Sequence, residues 1–183
     1  VEPALKPALA LSRTRRIGVM ATRGTLASAK FGALLGALAG QAEFICQPCD
    51  GLADAIEHSV GVGGETTDAT DLIAHCARHT RAMGSFGTEA GQIDTLVLGC
   101  THYPFVQTQL RELLCPQVGF VATGEPVARQ TQRLLQAARK LAPSEGAADT
   151  GRILLRTTGN PAALQAAARR WLQLQAPAEL LFV

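Results

Sequence analysis

The sequence predicts an α/β fold in which parallel strands alternate with helices. Short apolar runs, typical of buried strands, alternate with longer alanine- and leucine-rich segments whose apolar residues recur three and four positions apart. Prolines stand at or near the first turn of several of these segments, where a missing amide hydrogen costs nothing. This alternation indicates β-α units, and therefore a mostly parallel sheet with helices on both faces.

The individual elements follow from the same patterns. The apolar runs predicted to be strands are 16–20, 42–46, 93–99, 118–122, 152–157 and 179–183. The segments predicted to be helices are 25–40, 69–83, 104–114, 125–142 and 161–175. Glycine and small polar residues predict loops over 58–67 and 142–151. The segment near Cys115 and Pro116 is the predicted junction between two lobes.

Composition limits the classes of function. The 183 residues are 47% hydrophobic and 17% charged, which is typical of a globular chain. The 17 basic and 15 acidic residues are spread out, with no basic block between aromatic residues, so neither a nucleic-acid partner nor a membrane partner is expected. A small neutral or acidic ligand fits this charge pattern better.

The cysteines indicate the compartment. Five cysteines are an odd number in a chain long enough to build a core without disulfides. This favours reduced thiols and a cytoplasmic location. The chain begins at Val1 with no signal-peptide pattern, and it reads as the middle of something longer.

Four turns that follow predicted strands are candidate ligand contacts, because ligands of open parallel sheets bind at the carboxyl ends of the strands. Each of these turns is rich in small or hydroxyl residues and enters a helix, where free backbone amides can hold a carboxylate or a phosphate. Their sequences are "MATRGTL", "GCTHYPF", "ATGEP" and "TTGNP".

Cys100 is the strongest single candidate for chemistry. A cysteine at a helix entrance beside an imidazole can be held partly as a reactive thiolate, although a free cysteine is more often a small buried hydrophobe. His102 could orient or protonate a ligand, or simply bond to backbone at a helix start. Thr22, Thr25 and Thr101 could donate hydroxyls to a carboxylate, or cap the helices that follow them.

A zinc site is the weakest alternative. Cys46 and Cys49, together with His75 and His79, offer two cysteines and two histidines that could close a tetrahedron. The 25 residues between Cys49 and His75 exceed the roughly twelve of a zinc finger. The sequence therefore predicts no metal site, and "GVGGE" at 61–65 lacks the spacing of a nucleotide-binding loop.

Several blocks in order resemble the glutamate racemases of the aspartate/glutamate racemase superfamily. They are "VEPALKPALAL", "IGVMATRGTLASAKF", "DGLADAIE", "LVLGCTHYPF" and "GEPVARQTQRLL", and the likeness runs from Val1 to about residue 171. The resemblance implies two similar α/β lobes with an active site between them. It also implies cofactor-independent interconversion of L- and D-glutamate, which supplies D-glutamate for peptidoglycan, and it leaves a homodimer open as the assembly.

The family inverts its substrate with two cysteines on opposite faces of the α-carbon. Cys100 matches the second of these, and His102 matches the neighbour that assists proton transfer. Thr22, Thr25 and Thr101 match substrate-binding positions, and Glu57 matches an acidic residue near the site.

Some family features are absent from the sequence. The Cys-Asn-Thr block of the first cysteine and an Asp-Ser-Gly block are missing, and Ala122 and Thr123 replace the usual Asp and Ser. We therefore expect residues 1–115 to form one nearly complete lobe and 116–183 the carboxyl-terminal part of the other, with the amino-terminal part missing. Two alternatives remain open, a racemase of a related amino acid and a non-catalytic fragment that binds an acidic amino acid.

Overall fold

The computed structural model describes residues 2–60, 69–141 and 153–182. Its main sheet has four parallel strands in the order β2-β1-β3-β4. The strands are β1 (Arg16–Ala21), β2 (Glu43–Pro48), β3 (Thr95–Leu98) and β4 (Gly119–Ala122). The predicted α/β class and the predicted parallel sheet are confirmed.

The helices flank this sheet and connect its strands. Their bounds are α1 (Glu2–Leu11), α2 (Arg23–Leu26), α3 (Ala29–Ala37), α4 (Leu52–His58), α5 (Ala69–Met83), α6 (Gln107–Leu113), α7 (Gly124–Ala137) and α8 (Pro161–Leu172). A short 3₁₀ turn, Tyr103–Val106, precedes α6. Among the helices of the described ranges, none combines the length and the apolar character needed to cross a membrane.

Both faces of the main sheet are covered by helices. Successive residues of each strand point to opposite faces. On one face, Ile17 and Val19 pack with residues of α1 and α3. On the other face, Met20 and Leu98 pack with residues of α4, α5 and α6. The central strands β1 and β3 are therefore mainly apolar, as expected for parallel strands covered on both sides, whereas β2 carries Glu43 and Gln47.

Gly18 allows α5 to approach β1 closely. A side chain at this position would place a Cβ atom 2.7 Å from Met83 Cε, the end of a side chain on α5, and 3.0 Å from Leu96 Cδ1. A larger residue would therefore require the ends of the Met83 and Leu96 side chains to shift.

Two helices were not predicted, and one predicted helix is divided. Helix α1 was missed because Pro7 argues against a helix, yet its residues Leu5 and Ala8 are fully buried against the sheet. Helix α4 was missed because it has only seven residues. The helix predicted over 25–40 is two helices, since the Ser28 side chain accepts a hydrogen bond from Phe31 N and starts α3 anew.

A second sheet lies later in the chain. It pairs β5 (Leu155–Thr157) with β6 (Ala178–Leu180) in parallel, and α8 packs against both strands. The predicted loop 142–151 lies outside the described residues, as does most of 58–67. The division after residue 115 stays a prediction, although β4, which follows it, pairs with β3 in the main sheet.

Candidate active site

Three strand ends meet at one edge of the main sheet. Beyond the last paired residues, Gly99 N donates to Met20 O at 2.7 Å, and Cys49 N donates to Ala21 O at 2.9 Å. The turns that follow β1, β2 and β3 therefore lie side by side. This edge brings Thr22, Asp50 and Cys100 into one neighbourhood, at the position where ligands of open parallel sheets bind.

His102 links a thiol to a carboxylate. Its Nδ1 atom lies 3.7 Å from Cys100 Sγ, and its Nε2 atom lies 2.7 Å from Glu57 Oε1. A carboxylate accepts hydrogen bonds, so the proton of a neutral ring belongs on Nε2. Nδ1 is then left as an acceptor for the thiol proton of Cys100. The Cys100 thiol thus has a base, His102, beside it, and the Glu57 carboxylate orients that base.

The turn that carries Cys100 and His102 is anchored in the core by buried side chains. Tyr103 is completely buried, and its hydroxyl donates to Cys49 O at 3.3 Å. Burial raises the pKa of Tyr103, so its phenol stays protonated and remains a donor. Val106 is also fully buried in the same turn. His102 stands at the start of the 3₁₀ turn, but its side chain makes no cap hydrogen bond to the backbone there.

The threonines occupy two of the three turns. Thr22 caps α2, because its side chain accepts from Thr25 N at 3.4 Å, and the two hydroxyl oxygens lie 2.9 Å apart. The prediction that Thr22 caps the following helix is therefore correct. Its hydroxyl also lies at the carboxyl end of β1, at the same edge of the sheet as the candidate site. Thr101 is exposed between Cys100 and His102.

Sequence reasoning missed an ion pair across two of the turns. The Arg23 guanidinium pairs with the Asp50 carboxylate, and this contact lowers the pKa of Asp50. Arg78 on α5 also donates to Asp50 O at 3.1 Å. Asp50 follows β2 as Cys100 follows β3, so the strand-end rule could have identified it. Its partners could not be read from sequence, since they lie 27 and 28 positions away.

The other four cysteines are poor acid/base groups for this site. Burial raises the pKa of Cys49 to about 12 and that of Cys76 to about 11, and it also raises the pKa of Cys46. Cys115 lies just before β4, at the amino end of that strand and hence at the opposite edge of the sheet. Among the described cysteines, Cys100 alone combines partial exposure with a strand-end position and a neighbouring imidazole.

The candidate zinc ligands do not converge. Cys46 packs on the face of the sheet that α1 covers, whereas Cys49 belongs to the cluster on the opposite face. In the described ranges, no three His, Cys, Asp or Glu side chains are placed to hold a metal ion. The turn "TTGNP" does not follow a strand of the main sheet, because it follows β5 in the second sheet, where Asn160 caps α8.

Comparison with known proteins identifies relatives of the chain. It is 42% identical over 165 residues to a glutamate racemase of Pseudomonas putida, which covers 90% of this chain and 57% of that protein. It is 40% identical over 162 residues to a glutamate racemase of Herpetosiphon aurantiacus, covering 88% and 58% of the two. The chain thus spans a little over half the length of these relatives. No protein-family model matches it.

Solved structures show the same fold. A glutamate racemase of Bacillus anthracis superposes with a TM-score of 0.77 at 24% identity, covering all of this chain and 63% of that one. The Escherichia coli glutamate racemase in complex with L-glutamate and the activator UDP-MurNAc-ala gives 0.71 at 25% identity, covering 97% and 62%. The described architecture is therefore that of about three fifths of a glutamate racemase.

Proposed function

Because this chain belongs to the glutamate racemase family, we propose that its strand-end site binds glutamate and that Cys100 exchanges the α-proton of the substrate. The observation that carries the proposal is the Cys100–His102–Glu57 arrangement at the carboxyl edge of the sheet. Support for the substrate comes from the relatives, of which the Escherichia coli enzyme was solved with L-glutamate.

The proposed step moves one proton at a time. His102 Nδ1 accepts the proton of Cys100, and Glu57 stabilises the resulting imidazolium through Nε2. The thiolate then takes the α-proton, so an S–H bond forms as the C–H bond breaks. The electron pair stays on the α-carbon and is delocalised into the neighbouring carboxyl group. No cofactor enters this step.

The threonines are proposed to hold the carboxyl groups of the substrate. The hydroxyls of Thr22, Thr25 and Thr101 lie in two turns at the same edge as Cys100, and hydroxyls are suitable donors to a carboxylate. Fixing the carboxyl groups would place the α-carbon against the thiol, which is the positional demand of proton abstraction.

Complete inversion requires a second acid on the opposite face of the α-carbon. The described cysteines other than Cys100 are unsuited to this role, for the reasons of burial and position given above. We therefore propose that Cys100 serves one face and that residues 1–115 and 116–183 represent one lobe and part of another. The group that serves the other face lies elsewhere.

The cellular role proposed is the supply of D-glutamate for peptidoglycan, and thereby for cell-wall growth and cell shape. The absence of disulfides among the five cysteines agrees with a reducing compartment, and we propose the cytoplasm. Assembly as a homodimer stays a prediction.

Racemisation is tested by incubating the chain with L-glutamate or D-glutamate and separating the enantiomers by chiral chromatography. Cys100→Ser is the test variant, and Cys115→Ser is the matched control, because Cys115 lies at the opposite edge of the sheet. Aspartate and a hydantoin in the same assay test the related racemases. Turnover of glutamate that Cys100→Ser retains in full would contradict the proposal.

Binding without inversion is the second candidate, and the single suitable thiol favours it. In that case calorimetry detects D- or L-glutamate binding, whereas chiral chromatography finds no product and no α-proton of glutamate exchanges into heavy water. Binding of aspartate in preference to glutamate would argue against glutamate as the substrate and against glutamate as the ligand of a non-catalytic site.

A further inference from the structure

The end of α8 touches the turn that carries the candidate catalytic residues. The Trp171 ring stacks on the Phe105 ring, with centroids 5.1 Å apart and planes inclined by 20°. The Arg170 guanidinium lies 4.8 Å from the centre of the Trp171 ring and covers it. Trp171 is half-buried against the core cluster of the α4–α5–α6 face. Stacked aromatic pairs contribute about 0.5–1.5 kcal/mol beyond their buried area.

Phe105 is directly connected to His102. Its backbone amide donates to His102 O at 3.0 Å, so both residues belong to one hydrogen-bonded turn. Tyr103, between them, points into the core and fixes the inner side of the turn. The ring of Phe105 is held on the side of α8 by Trp171. Displacing Phe105 would therefore rotate the backbone that sets the direction of the His102 ring.

We propose that Trp171 is a positioning residue, which holds His102 within reach of both Cys100 and Glu57 through Phe105. The inference rests on the proposed function, because it assigns Trp171 a role in the same site. It differs from simple packing in one respect. Helix α8 already covers β5 and β6, so the stack on Phe105 is an additional contact that joins the second sheet to the catalytic turn.

The distances leave little room for displacement. The Cys100 Sγ to His102 Nδ1 separation is already 3.7 Å, whereas the Glu57 contact is short at 2.7 Å. A shift of about 1 Å at a reacting group can lower a rate by up to about 100-fold. Loss of the stack would thus weaken the thiol–imidazole contact first.

The test compares Trp171→Ala with Trp171→Phe, which keeps an aromatic ring. Leu172→Ala is the matched control, since Leu172 is the next residue of α8 and is 56% exposed. Iodoacetamide labelling of each cysteine is followed by mass spectrometry at one pH and without substrate. We expect Trp171→Ala to slow labelling of Cys100 about fivefold, because the thiol loses its base. Trp171→Phe and Leu172→Ala are expected to label as the parent does.

Buried Cys49 and Cys76 report on unfolding in the same sample. A purely structural role would accelerate labelling of these two thiols together with Cys100. That result, or an unchanged Cys100 rate in Trp171→Ala, would overturn the inference. If Trp171→Ala does not fold, Phe105→Leu removes the stack from the other side and carries the same expectation.

A second measurement follows the imidazole itself. In ¹⁵N spectra, the His102 ring is expected to show one tautomer, protonated at Nε2, in the parent and in Trp171→Phe. Averaging of the two tautomers in Trp171→Ala would support the inference, whereas an unchanged signal would contradict it. Neither the spectra nor the labelling involves glutamate, so a failure of racemisation and a failure of this inference are distinguished.

Discussion

Glu57 Oε1 and His102 Nε2 lie 2.7 Å apart, although 45 positions separate the two residues in sequence. Glu57 comes from α4, after β2, and His102 from the turn after β3. The contact leaves the other ring nitrogen facing Cys100. The Glu57 carboxylate therefore orients the His102 ring as a base for Cys100. The first prediction tests this contact.

Glu57→Gln is expected to slow α-proton exchange about tenfold, and His102→Gln about 100-fold or more, since general acid–base groups contribute roughly 10²–10⁴-fold. The loss is smaller for Glu57 because it acts through the imidazole. Exchange into heavy water measures both. Asp54→Asn, an exposed acid on the same helix, is the control and should exchange normally. If Glu57→Gln exchanges the α-proton as fast as the parent, Glu57 does not orient the base.

Substitutions of Thr22 and Thr25 should distinguish a loss of folding stability from a loss of glutamate affinity. Thr22→Val removes the cap of α2 and is expected to cost about 1 kcal/mol of the free energy of unfolding. Thr25→Val leaves that cap in place, because the Thr25 contribution to it is a backbone amide. Each variant is expected to weaken glutamate binding about tenfold, the value of one hydrogen bond.

Calorimetry with glutamate and urea unfolding measure the two effects of the threonine substitutions. The serine variants keep a hydroxyl and should retain binding. Undiminished affinity in Thr25→Val would exclude its hydroxyl from the substrate site.

Asp94 gives a prediction for acid stability. Burial alone would raise the pKa of Asp94, but hydrogen bonds from the Ser12 hydroxyl and from the amides of Thr14 and Arg13 outweigh it, and the pKa is lowered. The stabilisation is therefore fully present above the ordinary value of 3.8 and is lost as the pH falls through the lower value of the folded state.

Asp94→Asn is expected to cost about 2 kcal/mol near neutral pH, because hydrogen bonds to a buried charge are lost. Urea unfolding at a series of pH values measures this. The difference from the parent should shrink at acid pH. Asp71→Asn, at a 70% exposed side chain, is the control. A difference that stays constant down to the acid limit would contradict the role of the carboxylate.

The cysteines should differ in their labelling by iodoacetamide at pH 8. With a pKa of about 11, only about one thousandth of Cys76 is thiolate at that pH, and Cys49, at about 12, has still less. Both are also buried. Cys100 and Cys115 are expected to label first, and Cys46 more slowly since burial raises its pKa. Early labelling of Cys49 in the folded chain would contradict this order.

Most of the sheet could be predicted from sequence, because a strand buried on both faces leaves a continuous apolar run, as in 96–98 and 17–21. Helix α1 could not, since Pro7 opposes a helix locally and only the burial of Leu5 and Ala8 against the sheet shows why it forms. Tertiary contacts there outweigh local propensity.

The site was predictable where it depends on one turn and not where it depends on distant partners. Cys100 and His102 follow a predicted strand and are two positions apart, so the strand-end rule identifies both. Their link to Glu57, and the pairing of Arg23 with Asp50, depend on how α2, α4 and the sheet are placed in space. No local pattern encodes those contacts, and Glu57 was reached only through the family resemblance.

The most direct measurement of the central claim is α-proton exchange of each glutamate enantiomer in heavy water, followed by NMR in the parent and in Cys100→Ser. A single thiolate reaches one face of the α-carbon, so the parent is expected to exchange the proton of one enantiomer without inverting it. Cys100→Ser is expected to lose that exchange. Exchange of both enantiomers, or exchange that survives in Cys100→Ser, would contradict a site in which Cys100 is the one acid/base thiol.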